Sequence, residues 1–192
     1  DNGTTRTFTV TDPDEPQPIA HTHVYPSRSD CVRCHTSAAG GTLGMQTGQL
    51  NRTFDYGAVS DNQLRTLEHA GFFGGCLATR PSSLPQLADP FDATAPLAAR
   101  ARSYLHANCA HCHLPGGPAP TTIDLRAETV WTATGLCDAV PQNGDLGVPN
   151  ARLVRPGRAD ESITWLRAAM RGGEQMPPLA TLIPDEHGSN LI

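Results

Sequence analysis

The sequence predicts a mainly α chain: two small tandem domains with long loops, preceded by an extended N-terminal arm. Three observations predict it. The pattern C-x-x-C-H occurs twice, at Cys31-Val32-Arg33-Cys34-His35 and at Cys109-Ala110-His111-Cys112-His113. The second copy closes an amphipathic stretch, Ala95 to His113, in which Leu97, Ala101, Tyr104 and Leu105 share one face of a 3.6-residue repeat. The composition is rich in chain breakers and poor in rings, with 17 Pro, 18 Gly and 5% aromatic residues in 192.

The spacing of the motif has a chemical reason. Two thiols three positions apart reach the two vinyl groups on one edge of a porphyrin, and the histidine that follows sits under the iron. One such motif alone also suits a redox dithiol or a zinc site. Two complete copies make covalent haem c the reading for both. Cys31, Cys34, Cys109 and Cys112 are then the thioether residues, and His35 and His113 the proximal iron ligands. The 38% hydrophobic content is low for a protein-only core. A haem in each half supplies the missing apolar volume.

Taken in order, the chain starts with an arm over residues 1–18. Arg6 to Thr11 has strand composition, and Asp12 to Pro18 is a Pro-rich linker expected to be extended. A loosely packed terminus is the plainer expectation, and a strand that pairs with a sheet edge the sharper one. The first domain is placed at 19–92. His21 and His23 precede its motif and are candidate axial ligands. The glycines after His35 mark a loop able to approach a porphyrin closely. Asp61 to Phe73 reads as a helix capped by Asp61 or Ser60 and ended by Gly71. His69, near its end, is the preferred distal ligand of the first iron. Met45, ten residues past His35, is the runner-up.

A turn-rich joint from Cys76 to Ala95 leads to the second domain, placed at 93–192. Ile123–Arg126 and Ala151–Arg155 suggest a short β-hairpin there. Asp160 to Arg171 reads as a helix with Asp160 as N-cap, stopped by Gly172-Gly173. Met176, in the loop beyond and followed by two prolines, is the expected distal ligand of the second iron. A thioether donor there favours ferrous iron and raises the potential. Met170 falls on an apolar helix face and reads as core. His106, His111 and His187 read as bystanders.

The net charge of -5 and the lack of a basic run speak against nucleic acid as a partner. No apolar stretch approaches the about 20 residues that span a bilayer. Haem is attached covalently outside the cytoplasm, so a periplasmic or extracellular chain that has lost its leader is expected. Of six cysteines, Cys76 and Cys137 lie outside the motifs, and in an oxidising compartment they are expected to form a disulfide.

The strings CVRCHTSAAGGTLG, QLNR, DNQLRTLEHAGFF, RARSYLHANCAHCH, TGLC and MPPL, in this order, resemble a bacterial family of secreted two-haem c-type cytochrome modules. The resemblance runs from about Tyr25 to Leu179 and implies tandem cytochrome c-like domains that transfer electrons between redox donor and acceptor proteins. It carries over Cys31, Cys34, His35, Cys109, Cys112, His113 and Met176. Two other functions are weighed beside electron transfer. One is a subunit of an extracellular conductive polymer that self-associates through the N-terminal arm. The other is a two-haem peroxidase, which Met176 argues against by closing the obvious open iron.

Overall fold

The computed structural model describes residues 2–11 and 16–192, so part of the Pro-rich linker expected at Asp12 to Pro18 lies outside the described residues. The mainly α expectation of two tandem helical domains is overturned. The structure is a small mixed fold, 26% helix and 13% strand, with six helices and two small sheets among the described residues. Glycines at 71 and 172 lie just beyond two of the helices, and the chain between helices returns as loops.

The strands lie in the first half. β1 (Thr4–Val10) pairs antiparallel with β2 (Ile19–Tyr25), from Thr4 opposite Tyr25 to Val10 opposite Ile19. This hairpin forms across the expected boundary at 18/19, and the arm's β-branched run is one of its two strands. Eight threonines, valines and isoleucines suit the pleat, yet both strands are exposed at every position but half-buried His21. β3 (Thr53–Asp55) and β4 (Ser60–Asn62) form the second hairpin. The hairpin expected from Ile123–Arg126 and Ala151–Arg155 does not form. Val154 instead bridges Cys137, and Arg152 bridges Ser162.

Helix α1 (Arg28–Cys31) is one turn, started by a reciprocal cap between Ser27 and Asp30. The Ser-x-x-Asp spacing announces that start in the sequence. Helix α2 (Thr47–Leu50) leads into β3. Helix α3 (Gln63–His69) is shorter than expected, because Ser60 and Asp61 are held in β4 and Asn62 becomes the cap. Asn51, 4% exposed, ties this region together. Its amide donates to the carbonyls of Pro81, Leu84 and Pro85 and its oxygen accepts from Asn62.

Helix α4 (Leu97–Cys109) occupies the amphipathic stretch, with Ser103 and Leu105 buried, but Leu97 stands exposed. Helix α5 (Ile163–Ala169) is capped by Ser162 rather than Asp160, which lies in a preceding 3-10 turn. Helix α6 (Glu186–Ser189) closes the chain, with Gly188 set directly against the Tyr104 ring of α4. The core belongs to the second half: Leu105, Ala110, Ile123, Leu125, Leu136 and Leu153, with Ile192 packed on them. Before Leu105, Leu64 is the one buried apolar side chain among the described residues.

Candidate functional site

Both motifs fold the same way. Each follows a helix whose last residue is its first cysteine, Cys31 of α1 and Cys109 of α4. The histidine amide then donates back to that cysteine's carbonyl, His35 to Cys31 and His113 to Cys109, both at 3.0 Å. The return turn sets the two cysteines and the histidine of each motif against one cavity.

The imidazole of each motif is also held through its Nδ1. His35 Nδ1 donates to the carbonyl of Gly41 at 2.7 Å, and His113 Nδ1 lies 3.3 Å from the Thr121 hydroxyl. A metal-binding imidazole is commonly oriented in this way, with its second nitrogen left free for the metal. The Gly41 contact depends on a tight loop in which Gly40 and Gly41 both adopt φ of 77°, a region open to glycine at little cost. Behind His113, Leu125 N donates to the His113 carbonyl at 2.9 Å. The neighbouring Asp124 carboxylate accepts from Arg126 and Thr129, which hold it well below the usual carboxylate range.

At the second motif the structure brings the expected residues together. Cys109, Cys112, His113 and Met176 line one cavity whose remaining wall includes Leu105, Ile123, Leu125, Leu136, Leu153 and Ile163. Burial pushes the Cys109 thiol up to about 12 and lowers the pKa of the His113 imidazole. The donor set fits a c-type haem: two thiols, one oriented imidazole and one thioether around an apolar chamber.

Met176 is placed by residues the sequence reading passed over. Its backbone N–H donates to the Arg167 carbonyl on α5 at 2.8 Å. The buried Gln175 side chain accepts from Gly172 N and donates to the carbonyls of Pro177 and Thr181. Arg167 donates to the carbonyls of Glu174 and Asn143, and Arg171 to the Thr181 hydroxyl and the Ile183 carbonyl. Met170 caps α5 and is half-buried.

The first motif is more open. Cys31 and His35 are exposed and Cys34 is half-buried. The cavity beside them is also lined by Leu43, Tyr104, His111 and Met176. His69, at the end of α3, and Met45, with φ of 60°, are exposed and do not line it. Nor do His21 and His23, which lie on one face of the β1–β2 hairpin with ring centroids 6.3 Å apart. Cys76 and Cys137, the expected disulfide pair, are both exposed free thiols.

The three bystander histidines have places too. His106 accepts from Ala127 N through Nδ1, so its Nε2–H donates to Gln46 at 2.7 Å, joining α4 to the start of α2. His187 stacks on Phe91. His111 sits where the two motifs meet: one donor atom each from Cys34, His111 and Cys112 lie within 4.8 Å of one another. Burial, and then the nearby His35, lower the His111 pKa.

No helix among the described residues is long and apolar enough to cross a membrane. Compared with protein-family models, curated proteins and solved structures, the chain matches none.

Proposed function

We propose that this chain is an electron-transfer protein of the periplasm or extracellular space, carrying two covalently bound haem c groups. The observation that carries the proposal is the apolar cavity that gathers Cys109, Cys112, His113 and Met176. There Cys109 and Cys112 would anchor the group, His113, oriented through Nδ1 by Thr121, would ligate through Nε2, and Met176 would offer its sulfur from the loop held by Gln175. The bound group supplies one-electron chemistry, and the protein sets its potential through the axial pair and the apolar walls. Cys31, Cys34 and His35 repeat the same turn at the second group. The two motifs touch through Cys34, His111 and Cys112, so the electron has a short way between the groups.

The test is haem content after expression with a c-type maturation system. Two haems per chain are expected by the alkaline pyridine assay, one in Cys31→Ser/Cys34→Ser and one in Cys109→Ser/Cys112→Ser. In the oxidised protein a weak sulfur-to-iron absorption band is expected, absent in Met176→Ala. A protein that leaves the maturation host without haem overturns the proposal.

One observation favours self-association as a second reading. The β1–β2 hairpin leaves Phe8, Val10, Ile19, Val24 and Tyr25 exposed, and a two-stranded ribbon offers open edges to another chain. Size-exclusion chromatography of the haem-bearing chain, with and without residues 1–24, tests it. An oligomer that disappears with the hairpin supports assembly, and a monomer in both cases removes it.

A further inference from the structure

The contact between the two motifs has a chemistry of its own. Cys34 and Cys112 are each the second cysteine of its motif, and His111 lies inside the second motif. Their donor atoms converge from parts of the chain 77 and 78 residues apart (111 − 34 and 112 − 34). All three residues are half-buried. They lie in or beside the cavity lined by Cys34, His35, Leu43, Tyr104 and His111, which leaves room for a further ligand such as water. Two sulfurs and one imidazole nitrogen form the donor set that zinc-class ions and Cu(I) prefer over hard cations. Three protein ligands with an open fourth position are a recognised zinc arrangement.

We infer that, in the chain before haem attachment, Cys34, His111 and Cys112 bind one soft cation of the zinc class and clamp the two motifs together. On binding, Cys34 and Cys112 each release one thiol proton to solvent and His111 offers a nitrogen lone pair, so a divalent ion leaves the cluster neutral. No oxidant or reductant takes part. The site stands beside the haem reading rather than on it. The same two sulfurs become thioethers when haem attaches, so metal and haem compete for them.

Cobalt(II) is the probe, because its thiolate charge-transfer and tetrahedral ligand-field bands report the donors directly. The full chain is made without haem, kept reduced and anaerobic, and titrated with cobalt, then with zinc as competitor. One equivalent with a two-thiolate signature is expected, displaced by zinc. Cys34→Ser, Cys112→Ser and His111→Gln should each weaken binding tenfold or more. The double variant Cys31→Ser/Cys109→Ser should bind as the wild type does. That double variant is decisive, since two-thiolate chelation within either motif needs Cys31 or Cys109. Loss of binding there, with binding retained in Cys34→Ser, overturns the inference, as does a wild-type chain that takes up no cobalt.

The haem-bearing chain separates this result from the haem reading. It should carry two haems and bind no cobalt through thiolate. Two haems together with no cobalt uptake by the haem-free chain leave the electron-transfer proposal standing and remove the clamp. Cobalt uptake with no haem ever attached does the reverse, and makes the cluster the chain's resident metal site.

Discussion

Gln175 shows what one buried side chain does for a site it never touches. Its amide makes three hydrogen bonds that close the loop bearing Met176. Replacing it leaves Gly172 N and two carbonyls to find other partners, a loss of about 1–3 kcal/mol for buried groups. In Gln175→Ala the sulfur-to-iron band of the haem-bearing protein should weaken while haem content stays at two. A band of unchanged intensity would mean that the loop holds Met176 without Gln175. Asp124 is the matching case behind His113. Arg126 and Thr129 lower its pKa below the ordinary 3.8. A carboxylate with a depressed folded pKa adds stability that is complete above its unfolded value and is lost as pH falls toward the folded one. The stability gap between wild type and Asp124→Asn should therefore be constant above about pH 5 and narrow as pH drops below 3.8. Acid denaturation curves with a pH-independent gap would contradict this.

At the level of elements, α4 is the axis of the second half and α6 its latch. Tyr104 occupies the space a side chain at residue 188 would need, so only glycine lets the last helix lie against α4. Gly188→Ala should overpack this crossing, at about 1–3 kcal/mol. The melting temperature should fall by a few degrees, roughly 2–4 °C per kcal/mol for a chain of this size. A melting temperature equal to the wild type would show that α6 moves aside at no cost. Helix α6 does not make this contact alone. Its work is shared by Leu191, buried beyond it, and by Ile192, which packs on the core cluster and lines the cavity of the second motif.

The whole molecule is uneven. The second half holds a core wrapped around its cavity, whereas the first half has one buried apolar side chain before Leu105 among the described residues. Met176 lines both cavities, His69, Met45, His21 and His23 lie off the cavity of the first motif, and Cys31 and His35 stand exposed there. In the haem-bearing protein, cyanide should therefore bind the first iron faster and at lower concentration than the second. Spectra of the two single-haem variants would assign the sites. Faster binding in the variant that keeps only the second motif would reverse the order.

By itself the sequence determined the two C-x-x-C-H motifs and their local shape. C-x-x-C-H is a matter of neighbours along the chain, and the turn from Cys to His closes within five residues in both copies. The glycine stop at Gly71 and the region of α4 were legible for the same reason. What lay beyond it required distant contacts. Nothing in Asp61 or Ser60 shows that β4 will claim them from α3, or that Leu97 will stand exposed at the start of α4. The arm's pairing with Ile19–Tyr25 depended on a register that composition does not encode, and the mainly α expectation failed partly there. The three roles of Gln175, the hub at Asn51 and the meeting of Cys34 with His111 and Cys112 join residues from 2 to 78 positions apart. Only the tertiary structure decided these, because a hydrogen bond or a ligand cluster depends on where loops bring side chains, and loops carry no periodic signal.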